Sequence, residues 1–173
     1  MSAGEPHELP VNLEDLFYKY SSYVAFITHR MVGDPAEVDD LIQEVFIDAQ
    51  KGLAGLNDPG AVKGWLGTIT VRRVNRHLQK RRFLRFVGLD RVPAYESIAD
   101  RAASPEQRAM IASIYKILDE FPAKERIPWT LKYIQGEDVT EIARLCGCSR
   151  ATAHRRIAAV QAVVSEAHQE DWE

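Results

Sequence analysis

Cysteine is nearly absent. The chain of 173 residues holds two, Cys146 and Cys148, separated by a single residue. They make a poor disulfide pair, and two thiols are too few for a four-ligand zinc site. They read as small apolar side chains in a reducing compartment. Long apolar runs are missing as well. None approaches the ~18 residues of a membrane span, so no membrane insertion is expected. The opening "MSAGEPHELP" has neither a basic start nor an apolar middle, and is not expected to be a secretory leader. No stretch sustains period-2 alternation, which argues against a sheet. The expectation left standing is a cytoplasmic, all-helical chain.

Acid is missing from two stretches of an otherwise acidic molecule. The net charge is −3. Residues 1–58 hold 11 acidic and 3 basic side chains, whereas residues 59–89 hold 8 basic and none acidic. Residues 142–165 hold 4 basic and none acidic. Such segregation suggests at least two kinds of partner, one of them polyanionic. A pair of solvated helix faces is the plainer alternative. Hydrophobic residues make up 46% of the chain, enough for one core or two small ones.

What is present is helical periodicity. Leu13, Leu16, Phe17, Tyr20, Tyr23, Val24 and Ile27 form one apolar stripe, opening a helix at about Asn12. Asp34 reads as the N-cap of the next helix, with Pro35 at its first position. "GLAGLNDPGAVKG" reads as a loop or a short helical turn, and a third long helix is expected over about Val62–Arg85. "VGLDRVPAYESIADRAAS" lacks periodicity and reads as a flexible linker. Ser104 and Pro105 then open a new helix. The spacing predicts two small all-α domains, 9–86 and 105–168, joined by the linker 87–104.

The second expected domain contains "DVTEIARLCGCSRATAHRRIAAVQAVV". A helix from about Val139 turns Ile142, Ala143 and Leu145 inward. Gly147 can supply the left-handed residue that ends it, and Ser149 can cap the helix that follows. There Ala153, Ile157, Val160 and Val164 make a single buried stripe. Ala151, Arg155 and Ala158 point away from it, with Arg150 and His154 on one flank and Thr152 and Arg156 on the other. This is a helix-turn-helix whose second helix offers long donors outward. Arginine can take guanine with two hydrogen bonds, and flanking cations can neutralise phosphates.

The first expected domain carries two surfaces. Val38, Leu41, Ile42, Val45 and Ala49 form a core stripe, and Asp39, Asp40, Gln43 and Glu44 share the other side. Packed together, these acceptors suit an Arg-rich partner surface; the helix dipole alone also favours acid there. A metal site would need ligands from a second helix, and no paired-carboxylate helix is visible. On the third helix stand Arg72, Arg73, Arg76, Lys80, Arg81 and Arg82. The dipole accounts for two or three cations near a helix C-terminus, hardly for all of these. A nucleic-acid backbone accounts for the whole set, and the Gly-rich loop before the helix could receive an unstacked base. Trp65 is either a stacking platform or core.

"DDLIQEVFIDAQKGL", "GWLGTITVRRVNRHLQKRR" and "FPAKERIPWTLKYIQGEDVTEIARLCGCSRATAHRRI" closely resemble, in that order, segments of bacterial RNA polymerase sigma factors of the extracytoplasmic-function group. The resemblance covers about residues 12–85 and 105–165. It implies a non-enzymatic transcription-initiation subunit with no cofactor. Its implied partners are core RNA polymerase (the β′ clamp helices and the β flap) and promoter DNA. By resemblance, Asp39, Asp40, Gln43 and Glu44 face the clamp helices. The loop Gly55–Gly64, with Asn57 and Lys63 and with Trp65 just beyond it, captures a flipped base of the −10 element. Arg72, Arg73, Asn75, Arg76, Lys80 and Arg81 contact and melt that element. The linker threads toward the active cleft. Arg150, Thr152, His154, Arg155 and Arg156 read the −35 element. Regulation would fall to a separate anti-sigma factor or to expression level, since no sensor domain is expected after the second domain.

Three departures from the group's pattern bear on the promoter sequence: Arg76 where many members are acidic, His154 where many carry Lys, and Pro128 where others have a plain helix former. Pro128 would kink its helix unless it falls in the first turn. Two other classes stay open. A stand-alone dimeric regulator would leave the acidic face and the basic helix unexplained. A metalloenzyme using Asp39, Asp40 and Glu44 lacks a nearby His and an evident nucleophile–base pair.

Overall fold

The computed structural model describes residues 12–91, 93–99 and 102–168. Helix α1 spans Leu13–Val32. It starts where extended Asn12 accepts a hydrogen bond from the Asp15 amide at 2.9 Å, and stops at Gly33, whose φ of 81° favours glycine. A β carbon on Gly33 would lie 2.4 Å from a Tyr115 ring atom, so the end of α1 is pressed against a later helix. Asp34 caps the next segment as expected. The segment it caps is a tight 3-10 turn, Pro35–Glu37, and the α-helix proper, α2, runs Val38–Gly52. The Gly-rich loop holds two more such turns, Leu53–Gly55 and Pro59–Ala61, before α3 at Val62–Phe86.

Beyond α3, a 3-10 turn at Tyr95–Ile98 packs within the linker against α4, Pro105–Glu120. Ser104 and Gln107 close a reciprocal capping box at the start of α4. Then come α5 (Ala123–Tyr133), α6 (Val139–Cys146) and α7 (Arg150–Ala167). Pro128 is the sixth residue of α5, past the first turn, inside a helix that continues through it. Among the described residues there is no strand.

Two apolar clusters hold the helices. One belongs to α1–α3, with Leu16, Val24, Val45 and Leu66 fully buried. The other joins Met31, Val74 and Leu78 of the first half to Leu118, Ile127 and Ile142 of the second. Each fully buried Leu or Ile stabilises by about 1.5–3 kcal/mol, so the shared cluster ties the halves together strongly. Gly67 lies where α1, α3 and α6 meet. A β carbon there would come within 2.8 Å of the Tyr23 hydroxyl and 3.0 Å of a Leu145 methyl. Arg144 of α6 spans the same seam, donating to the Gly64 carbonyl at 3.3 Å and the Thr68 hydroxyl at 3.2 Å.

Candidate nucleic-acid interface

A helix turns by ~100° per residue, so the basic stretch of α3 divides into two rows. Arg72, Arg76 and Lys80 share one face. Arg73, His77, Arg81 and Arg85 share another, four residues apart each time.

The second row is paired with acid throughout. Arg73 binds Asp48 and, at 3.1 Å, Glu44. His77 Nε2 lies 2.9 Å from Glu37. Arg81 reaches Glu37 at 3.0 Å and Asp119 of α4 at 2.8 Å, and its side chain is only 4% exposed. Arg85 reaches Asp119 at 2.8 Å and Asp90 at 3.3 Å. Asp119 also accepts from Arg126 at 2.5 Å and from the Tyr95 hydroxyl. Arg126 is 2% exposed and donates further to the Val32 carbonyl at 2.8 Å, at the end of α1. One buried cluster therefore joins α1, α3, the linker, α4 and α5.

The electrostatics follow from that crowding. Burial alone would raise the Glu37 carboxyl, but the His77 hydrogen bond and the Arg81 charge overcome it and hold the group at about 2. Burial opposes ionisation of Asp119 in the same way, and the Arg126 and Arg81 charges outweigh it, leaving the carboxyl below its ordinary range. Burial pushes the Tyr95 phenol up to about 12.

Three of the expected contacts do not lie on the open face of α3 in this structure. Arg81 is interior, because two acids of distant elements neutralise it there. Arg73 is half-buried against α2, in reach of its carboxylates. Asn75 is half-buried at the seam of α3 with α5 and α6, and its Oδ1 has no hydrogen-bond partner among the described residues. The other row, Arg72, Arg76 and Lys80, is exposed, as is Arg82 beside it. Among the described residues none of the four has an acidic partner.

In the preceding loop Asn57 is exposed, its amide turned toward the Gly55 carbonyl at 3.5 Å. Lys63 is exposed over the Tyr23 ring, 4.9 Å from its centre. Trp65 is half-buried, with its ring 3.0 Å from where a Gly52 β carbon would stand. It packs on the first apolar cluster. On α2, Asp39, Asp40, Gln43 and Glu44 are all exposed, with the apolar Ile47, 52% exposed, one turn beyond.

The helix-turn-helix follows the sequence closely. Asp138 caps α6 through the Thr140 and Glu141 amides at 2.7 and 3.0 Å. Gly147 ends it at φ 61°. The Ser149 hydroxyl accepts from the Thr152 amide at 3.1 Å. Ala153, Ile157, Val160 and Val164 are the buried residues of α7. Arg150, His154 and Arg155 are exposed, whereas Thr152 and Arg156 are half-buried. Thr152 is engaged in the cap, its hydroxyl accepting from Ser149 at 2.9 Å. Burial pushes the Cys146 thiol up to about 12, so it carries no reactive thiolate near neutral pH.

A groove of about 1070 Å³ opens between the halves. Phe26 of α1, Ile98 of the linker, Ile111 and Ile114 of α4, Trp129 of α5 and Val164 of α7 supply apolar walls. Among the described residues that line it are His29 and Arg30, and no acid. Among the described residues no helix is long and apolar enough to cross a membrane.

Known proteins share this architecture. Residues 16–83 match the family model for sigma-70 region 2, and residues 111–159 that for sigma-70, region 4. The ECF RNA polymerase sigma factor SigE of Mycolicibacterium smegmatis is 27% identical over 90% of this chain and 61% of its own length. The probable RNA polymerase sigma factor RfaY of Xanthomonas campestris is 28% identical over 82% of this chain and 36% of its own. The chain thus spans less than two thirds of either relative. The sigma factor RpoE of Bartonella quintana, solved in complex with the anti-sigma factor NepR, superposes with a TM-score of 0.65. It is 17% identical, over 88% of this chain and 94% of that one, and the likeness is one of fold.

Proposed function

The chain belongs to the extracytoplasmic-function group of sigma-70 factors, and from that premise we propose that it is a dissociable subunit directing RNA polymerase to particular promoters. It performs no chemistry of its own. The observation that carries the reading is the pair of opposite outward faces on adjacent helices. On α2, Asp39, Asp40, Gln43 and Glu44 offer acceptors to solvent, and on α3, Arg72, Arg76 and Lys80 offer cations. One polyanion could not bind both.

In this reading residues 9–86 form the polymerase-binding and −10 domain, 87–104 the linker, and 105–168 the −35 domain. The acidic face of α2 docks on the β′ clamp helices, and the second domain on the β flap. Arg72, Arg76 and Lys80 neutralise phosphates at the −10 element, while the loop around Asn57 and Lys63 accepts the flipped base. Arg150, His154 and Arg155 enter the major groove of the −35 element. The apolar groove between the halves, rimmed by His29 and Arg30, suits an acidic amphipathic helix of an anti-sigma partner. The protein works in the cytoplasm, where polymerase is.

Run-off transcription tests this reading. Core polymerase, the protein and a genomic fragment library should give starts that share a pair of upstream elements. Replacing Asp40 and Glu44 with Lys should abolish polymerase binding while circular dichroism stays unchanged. No protein-dependent transcript, with the core competent on another sigma factor, would overturn the reading.

A further inference from the structure

Asp119 occupies the position that a phosphate would take between two arginines. Its carboxylate lies 2.8 Å from both Arg81 and Arg85 on α3, and it comes from α4, in the other half of the molecule. Guanidinium groups bind carboxylate and phosphate with the same planar fork. Glu37 holds the other side of Arg81 at 3.0 Å. Two elements of the linker close over the same spot: the Tyr95 hydroxyl donates to Asp119, and Arg91 pairs with Asp34, which is 1% exposed. The cluster faces three arginines, Arg81, Arg85 and Arg126, with His77 beside them, against Asp119, Glu37 and Asp90. Without the Asp119 charge, Glu37 would be left to oppose Arg81 and Asp90 to oppose Arg85.

We propose that Asp119, with Glu37, is a built-in substitute for a phosphate, which keeps the free chain closed and withholds Arg81 and Arg85 from nucleic acid until the two halves separate. The inference rests on the reading of α3 as a DNA-contacting helix. It makes the closed arrangement and full engagement of α3 mutually exclusive. At 4% exposure Arg81 cannot reach a phosphate unless α4 moves away. The exposed row of Arg72, Arg76 and Lys80 is available in either state. The free protein is therefore a weak binder with part of its basic helix in reserve.

The test uses the full chain and its Asp119→Asn variant, which keeps the shape and removes the charge. Hydrogen exchange across α3 and α4 reads opening. Anisotropy of a labelled random-sequence duplex, over a range of salt, reads the freed arginines. Asp119→Asn should speed exchange at the C-terminal half of α3 and at α4. It should tighten DNA binding about tenfold and steepen the logarithmic salt slope by about one per freed arginine. Adding Arg81→Ala to Asp119→Asn should remove about half of the gain, and adding Arg85→Ala as well should remove the rest. Glu37→Gln should give the same changes more weakly, and serves if Asp119→Asn does not fold. Unchanged exchange in a folded variant would overturn the lock. Faster exchange with no gain in DNA affinity would instead overturn the assignment of α3 to DNA.

Discussion

The basic stretches of α3 and α7 resemble one another in sequence and differ in what faces them. On α7 the cations at the start of the helix look outward, because the apolar stripe on its other side already uses the helix's contacts with α4–α6. Arg150, His154 and Arg155 are exposed. Helix α3 is central. It touches α1 and α2 on one side and α5 and α6 on another, so part of any charge row along it must enter a seam. There Arg81 and Arg85 meet Asp119, and Arg73 meets Asp48. A cluster of like charge in a sequence describes a solvent-facing surface only when its helix has a free side. Charge density alone does not say how much of it is free.

Stability measurements should break the resemblance most sharply. Removing one partner of a buried ion pair strands the other and costs about 3–5 kcal/mol. Arg81→Ala leaves Glu37 and Asp119 each short of a cation, although His77 and Arg126 remain beside them. The expected loss in urea unfolding is therefore about 3 kcal/mol, at the low end of that range. Arg155→Ala removes an exposed side chain, and its change should lie within about 0.5 kcal/mol. Equal losses would mean that the two stretches are deployed alike.

Promoter binding should separate them in the opposite sense. In polymerase holoenzyme, Arg155→Ala should cost about 1–3 kcal/mol at a cognate −35 sequence and relax preference there. Arg72→Ala, on the exposed row of α3, should weaken binding evenly across promoters and lower the salt slope by about one. Filter binding on matched and scrambled −35 elements decides it. A uniform loss for Arg155→Ala would remove it from base reading.

Much of the fold was legible because its determinants are local. The caps at Asn12, Ser104 and Ser149 are each satisfied by an amide three residues on. The stripe Ala153, Ile157, Val160 and Val164 is a matter of period. What the sequence did not disclose is pairing across long separations. Nothing near Arg81 in the chain names Asp119, and nothing near Arg126 names the Met31 and Val32 carbonyls. The tight approaches at Gly33 and Gly67 are likewise made by Tyr115, Tyr23 and Leu145, which are remote in sequence. One signal was available. Arg73, His77, Arg81 and Arg85 recur every four residues, a spacing that marks a row on one face, distinct from that of Arg72, Arg76 and Lys80. Division of the stretch into two faces was readable, although which face turned inward was not.

Arg73 lies between the two cases and should give the smallest effect. Its side chain is 21% exposed, and its partners Asp48 and Glu44 are 24% and 51% exposed. Solvent screens such pairs, so Arg73→Ala should cost under about 1 kcal/mol at neutral pH. The dependence on pH is more diagnostic than the size. The Arg73 hydrogen bond holds the Asp48 carboxyl at about 2, below its ordinary 3.8. A carboxyl depressed by folding contributes stability above its ordinary pKa and loses it as the pH falls through the folded value. Wild type should therefore lose this small increment between about pH 4 and pH 2, and Arg73→Ala should lack that part of the decline. If the two acid profiles are parallel, the pair is not formed in solution. Arg73 would then belong with Arg72 and Arg76, free for DNA, and the inner row would begin at His77.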